Sequence, residues 1–151
     1  MKKSEKQLMI GGQALRQLGS SRSTEDTDYL IYEPAVSRTF IHDKGGNIDY
    51  CNAAANAFFG QVWEMEKDNQ GPIASPQALF ELKLYAWVQH FCNGFWNKEF
   101  DARYDLEFIM RKFPHVTESK VAVWHLNPGQ QSEAVKLVNE TKQRVYRLPN
   151  E

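Results

Sequence analysis

Cysteine is nearly absent from this chain: Cys51 and Cys92 are the only two in 151 residues, and no C-x-x-C spacing relates them. That excludes a disulfide framework and a cysteine-based metal cluster. Long apolar runs are also missing. The opening MKKSEKQLMIGG carries charge but an apolar run of only three residues, Leu8–Ile10, too short for the apolar segment of a signal peptide. No stretch approaches the length of a membrane span, so a cytoplasmic, reducing location and no membrane partner are expected. Excess charge of one sign is lacking too, with 18 basic against 19 acidic residues. A polyanion would therefore have to be held by a local patch rather than by a global field. Repeats and low-complexity segments are absent. The four histidines, His42, His90, His115 and His125, show no ligand spacing.

What is present describes a folded protein. Hydrophobic residues make up 42% and aromatics 13%, which excludes a disordered chain. The length suits one domain, 1–151, able to bury a core without staples. Leu8–Ile10 reads as a strand or a helix end. Gln13 to Leu18 reads as a short helix closed by Gly19, and Ser20 to Glu25 as a loop. Thr27 to Tyr32 is β-branched and aromatic, a strand ended by Pro34. Thr39–His42 and Asn47–Cys51 flank the turn Asp43-Lys44-Gly45-Gly46 and predict a hairpin. Ala53 to Glu66 has helical composition interrupted by Gly60, and Lys67 to Ser75 is a loop. Ser75-Pro76 marks the start of a helix running to about Phe91, ended by Asn93-Gly94. A further helix spans Asp101 to Lys112. Val121–Leu126 reads as a late strand, Asn127-Pro128-Gly129 as a turn, and Ser132 onward as a helix or tail. The class is α+β.

Side chains at i and i+2 of a strand share a face, so Asp26 and Asp28 are expected to project together. Two adjacent carboxylates repel unless they are solvated, share a proton or bind a cation. A hard divalent ion such as Mg²⁺ suits them, because it takes oxygen ligands and substrate phosphates. Taken alone, D-x-D equally fits two solvated acids at a strand start. The glycine pair Gly11-Gly12 before a helix lets a phosphate approach backbone N–H groups, though it also serves as a plain strand-to-helix turn. Ser20, Ser21 and Arg22 add donors suited to phosphate oxygens.

Gly11, Gly12, Gly19, Arg22, Thr24, Asp26 and Asp28, in the order G-G, helix, G-x-x-R-x-T-x-D-x-D, resemble the signature of the polymerase β-type nucleotidyltransferase superfamily. The nearest branch in pattern is that of AbiEii-type bacterial toxins and related stand-alone nucleotidyltransferase-like domains. Its later single aspartate is matched by Asp49. Its lysine helix is matched by Ser75-Pro76-Gln77-Ala78-Leu79-Phe80-Glu81-Leu82-Lys83-Leu84-Tyr85-Ala86. The resemblance covers roughly residues 8 to 112. It implies a small mixed sheet flanked by helices, with a helical C-terminal half. It further implies transfer of a nucleotide from an NTP to an acceptor hydroxyl of tRNA, of protein or of a small molecule such as an aminoglycoside, with a toxin-like role in view. Asp26, Asp28 and Asp49 would bind Mg²⁺ or Mn²⁺. Gly11, Gly12, Ser21, Arg22 and Thr24 would hold the triphosphate, and Lys83 would stabilise growing charge.

Lys83 can be weighed without the family. Its helical neighbours Leu79, Phe80, Ala86 and Trp87 are all apolar, so its ammonium either snorkels to an edge or meets an anion. Asp49 is followed by Tyr50 and Cys51 in a strand, whereas Asp43 lies in the turn, where aspartate bonds its own backbone. The family's fourth motif is matched irregularly: Asp101, Arg103 and Asp105 are out of step with it. Asp105 therefore reads as structural, pairing with Lys98 or Arg103 or capping a helix. The segment Lys136 to Arg147, with four basic residues against Glu140, fits either RNA phosphates or a solvated helix face. The rival to an enzyme is a non-catalytic protein of the same architecture that binds nucleotide, RNA or a protein partner.

Overall fold

A computed structural model describes residues 6–43, 45–92, 94 and 96–146. It is an α+β structure with one four-stranded mixed sheet and, among the described residues, five α-helices. Contacts divide the chain into two compact units, Met1–Leu79 and Phe80–Glu151. No helix among the described residues is long and apolar enough to cross a membrane.

The first unit holds the sheet. Strands β1 (Leu8–Ile10), β2 (Thr27–Ile31), β3 (Phe40–Asp43) and β4 (Ile48–Asn52) lie in the order β1-β2-β4-β3. The outer pairs are antiparallel and the central β2–β4 pair is parallel. Strand alternation gives the sheet two faces. Leu8, Ile10 and Leu30 are buried on one of them, together with Ala14 and Leu15 of helix α1 (Gly11–Gln17) and Phe58, Phe59 and Val62 of helix α2 (Ala57–Met65). Burying a side chain such as Leu30 stabilises the fold by about 2 kcal/mol. The outer edge of β1 is covered by the loop before α3: the Met9 N–H donates to the Pro72 carbonyl and the Ala74 N–H to that of Met9. Glu66, buried at the end of α2, shapes that loop by accepting from the Ser75 N–H and hydroxyl and from the Asn69 amide.

Several expectations hold. Gly19 closes α1 with φ +112°, the Ser20 N–H donating to the Leu15 carbonyl and Gly19 to Arg16, a left-handed helix stop. The hairpin forms, and Asp43 accepts from the Gly45 N–H at 2.9 Å as a turn aspartate should. The Ser75 hydroxyl accepts from the Ala78 N–H and caps helix α3 (Pro76–Cys92). Lys44, Asn93 and Arg147 lie outside the described residues.

Other boundaries shift. Helix α1 begins at Gly11 rather than Gln13, and β2 ends at Ile31 rather than Tyr32. The stretch 53–66 is broken at Asn56, not at Gly60: a short 3-10 turn, Ala53–Ala55, precedes α2, and Asn56 caps α2 by accepting from the Phe59 N–H. Asn52 caps that 3-10 turn and ties it to the preceding loop. Fully buried, its side-chain oxygen accepts from the Glu33 and Ala54 N–H groups while its amide donates to the carbonyls of Glu33, Val36 and Arg38.

The second unit is helical, comprising most of α3 with α4 (Trp96–Lys112) and α5 (Pro128–Val145). Val121–Leu126 is not a strand. Residues Ala122–His125 form a 3-10 turn because Glu81, buried on α3, accepts from the Ser119 hydroxyl and from the Lys120 and Ala122 N–H groups. Asn127-Pro128-Gly129 is not a free turn but the start of α5. Asn127 and Gln130 form a reciprocal capping box, with Pro128 in the first helical turn. Glu107 joins α4 to α5 by accepting from Arg111 and Arg144. Burial acts to raise its pKa, but the two guanidiniums hold it below the ordinary carboxylate value.

Asn52→Ala removes the side chain that satisfies five buried or half-buried backbone groups. The expected loss is about 3 kcal/mol, read as a lower urea midpoint with an unchanged slope. A loss below about 1 kcal/mol would show that water replaces these bonds at little cost.

Candidate functional site

Parallel pairing aligns β2 with β4 so that Asp28 stands directly opposite Asp49. Neighbouring strands lie about 4.8 Å apart, and residues paired in register share a face, so the two carboxylates are neighbours on the helix-covered face. Both are half-buried. Cys51, two residues beyond Asp49, reports their combined charge. Its thiol is pushed from the ordinary value of 9.0 to about 12, first by burial and then by Asp28 and Asp49. On the neighbouring strand His42 is the register partner of Asp49, and its Nδ1 lies 2.6 Å from Asp49 Oδ1. An ionised carboxylate only accepts, so in that state Nδ1 carries the hydrogen and the ring holds the carboxylate's orientation.

The glycine pair is required by contact, not only by backbone freedom. Gly11 has φ +71°, and a Cβ placed on it would lie 2.7 Å from Asp28 Oδ2. At Gly12 a Cβ would meet Arg22 Nη2 at 2.8 Å and Thr24 Cγ2 at 3.0 Å. Two bare backbone positions thus leave room beside Asp28 and beside the Arg22 guanidinium. The loop after α1 is fastened to that helix. Gln13 Nε2 donates to the Thr24 carbonyl and Arg16 Nη1 to that of Arg22, while Ser20 Oγ accepts from the Arg22 N–H.

Gly11, Gly12, Arg22, Thr24, Asp28 and Asp49 are therefore assembled on one end of the sheet. Asp26 precedes the first strand residue and is exposed, whereas Asp28 lies within β2 and is half-buried. The pairing register begins at Thr27, whose N–H donates to the Asn47 carbonyl. Ser21 is exposed in the loop. Lys83 belongs to the second unit, where its ammonium sits 2.9 Å from a carboxylate oxygen of the buried Asp105. Asp105 is structural, as expected, and it pairs with a cation on α3 that the sequence did not suggest; the side chain of Lys98, one of its expected partners, lies outside the described residues. His42, Gln13 and Glu81 were not singled out by sequence. Only the hairpin register could have revealed His42, because it lies opposite Asp49 in a correctly aligned hairpin.

The donor set fits a hard cation only in part. Two carboxylates side by side, with a cradle at Gly11 that a Cβ would fill, suit oxygen coordination. Among the described residues no group of three or more His, Cys, Asp or Glu is gathered for a metal ion. No family model matches the sequence, and no curated protein or solved structure matches it.

Gly11→Ala combines a positive φ with a close approach to Asp28 Oδ2 and should cost about 2 kcal/mol, measured by thermal melting. A variant as stable as the parent would mean that the strand end moves to admit the methyl group. The Cys51 thiol should resist alkylation. In a Cys92→Ser background at about pH 8, native Cys51 should react with iodoacetamide at least ~100-fold more slowly than the unfolded chain, and Asp28→Asn should shorten that gap. The burial contribution of this thiol to stability is complete below its ordinary value of 9.0 and fades as pH rises towards about 12, because the unfolded chain loses the proton first.

Proposed function

We propose that this protein is a divalent-metal-dependent nucleotidyltransferase of the polymerase β-type architecture, moving a nucleotide from an NTP to an acceptor hydroxyl. The observation that carries the reading is the register pairing of Asp28 with Asp49, with the side-chain-free Gly11 beside Asp28. Two acids facing each other on central strands oppose folding through their repulsion, and a bound cation would turn that cost into affinity.

In this reading Asp28 and Asp49, with Asp26 two positions before Asp28, are the residues that would hold Mg²⁺ or Mn²⁺. The ion supplies charge neutralisation at the triphosphate and a lowered pKa for the acceptor hydroxyl. The chain's own residues do the remaining work. Gly11 and Gly12 keep the approach to Asp28 and Arg22 open. Arg22, with Ser21 and Thr24 in the same loop, offers donors to phosphate oxygens. His42 holds Asp49 in one orientation. Lys83, which the resemblance assigns to growing negative charge, must exchange Asp105 for a phosphate oxygen to serve that role. The acceptor classes that accompany the resemblance are tRNA, protein and small molecules, with a toxin-like role and cytoplasmic location.

A second reading is a non-catalytic protein that binds nucleotide, RNA or a protein partner. It is favoured by the engagement of Lys83 with Asp105 and by the lack of a third gathered carboxylate among the described residues.

Incubation with radiolabelled NTPs, Mg²⁺ and total cell extract should label an acceptor. Asp28→Asn and Asp49→Asn should each reduce labelling by at least ~100-fold with the circular dichroism spectrum unchanged. Full labelling by either variant would refute the catalytic reading. Calorimetric binding of an NTP with Mg²⁺, but without label transfer to any acceptor, would select the second one.

A further inference from the structure

We propose that the second unit carries a binding groove for an amphiphilic monocarboxylate, an acid with an aryl or alkyl body, independent of the carboxylate site on the sheet. The groove lies between the 3-10 turn Ala122–His125 and helix α5 and has a volume of about 290 Å³. Its apolar lining comes from Val123, Trp124, Ala134, Val135 and Val138, and Lys142 completes it. That volume matches the low end of small-molecule sites, which are mostly apolar with few polar groups.

Three observations identify the ligand class. Trp124 is 76% exposed and Val135 52% exposed, although each gains by leaving water. The backbone turn that carries the indole is nevertheless tied down on both sides. Gln131 Nε2 donates to the Val123 and Leu126 carbonyls, and Glu81 accepts from Ala122 on the same turn. A ligand therefore meets a preformed surface and loses little affinity to ordering it. The ammonium of Lys142 has no hydrogen-bond or ion-pair partner among the described residues. A cation beside valine side chains gains from an anion that shares its partly desolvated position.

Charge sets the valence. Glu118, the one acid lining the groove among the described residues, has an interaction partner of its own and disfavours polyanions. One cation and one acid along the same lining select a single carboxylate over a triphosphate. Lys142 stands eleven positions beyond Gln131 on α5, about 16 Å at 1.5 Å per residue, and its side chain leans back towards the N-terminal turn. An elongated acid thus fits better than a compact one, with its body against Trp124 and the valines and its carboxylate on Lys142.

The test is titration of the full chain with phenylbutyrate and, separately, with the neutral phenylbutanol, followed by amide NMR. Phenylbutyrate should give saturable shifts confined to residues 118–142 and bind at least ~5-fold more tightly than the alcohol. Lys142→Gln should make the two ligands equal, and Trp124→Ala should weaken both by about 10-fold. Neither residue is buried in the core, so melting temperatures should stay near the parent value. No saturable shifts within 118–142, or equal affinity for acid and alcohol with Lys142 intact, would overturn the proposal. Asp28→Asn should leave phenylbutyrate binding unchanged, so this result stands or falls separately from nucleotide transfer.

Discussion

The parallel alignment of β2 with β4 is the constraint on which the first unit depends. Both strands are central, so each must satisfy its backbone on two sides, β2 towards β1 and β4 towards β3. Central strands usually carry apolar residues towards the helices. Here the same face carries Leu30 and Cys51 at one level and Asp28 opposite Asp49 at the next. A one-residue slip would turn Leu30 to the opposite face and lose its burial, so packing at Leu30 holds the acids together. Hydrophobic register thus imposes a polar juxtaposition that electrostatics alone would oppose. Local conflict of this kind is where function is usually found.

The glycines act within that frame. Gly11 and Gly12 sit at the join of β1 and α1, and what they exclude is as important as the φ they adopt. Without side chains, they let the start of α1 approach Asp28, Arg22 and Thr24. Gln13, directly after the pair, and Arg16, about one turn further along α1, fasten the same loop through its carbonyls. A short helix, a fastened loop and a strand end thus behave as one unit around Asp28.

Buried carboxylates organise much of the rest. Glu66 shapes the loop that covers the edge of β1, Glu81 draws residues 119–122 onto α3, and Asp105 holds the Lys83 ammonium. Each is nearly or fully buried, and each has donors that make burial tolerable. In the sequence they look like surface acids on helices. Glu81 in particular anchors the start of the expected strand Val121–Leu126, whose residues Ala122–His125 form a 3-10 turn, by accepting from the Ala122 N–H and from the Lys120 N–H just before it. The same tether mounts Trp124 in the open, so a structural carboxylate and the exposed groove have one cause.

Sequence by itself determined the elements whose signals are local. Gly19 ends α1 because only a residue tolerant of positive φ fits there. Ser75-Pro76 starts α3 because a hydroxyl cap and a fixed φ act within one turn. The Asp43-to-Gly46 turn closes the hairpin through its own backbone. The glycine pair, Arg22, Thr24 and Asp28 were also legible as a candidate site, since they lie within one short unit of chain. Tertiary structure alone decided the remainder. That Asp49 stands opposite Asp28 depends on strand register, a long-range property. The partners of Asp49 and Lys83, which are His42 and Asp105, come from different elements. The 3-10 turn ahead of α2 is capped by Asn52, whose five bonds reach back as far as Glu33. Local propensity spans a turn or two of chain, whereas these choices are made by groups that meet only when the chain is folded.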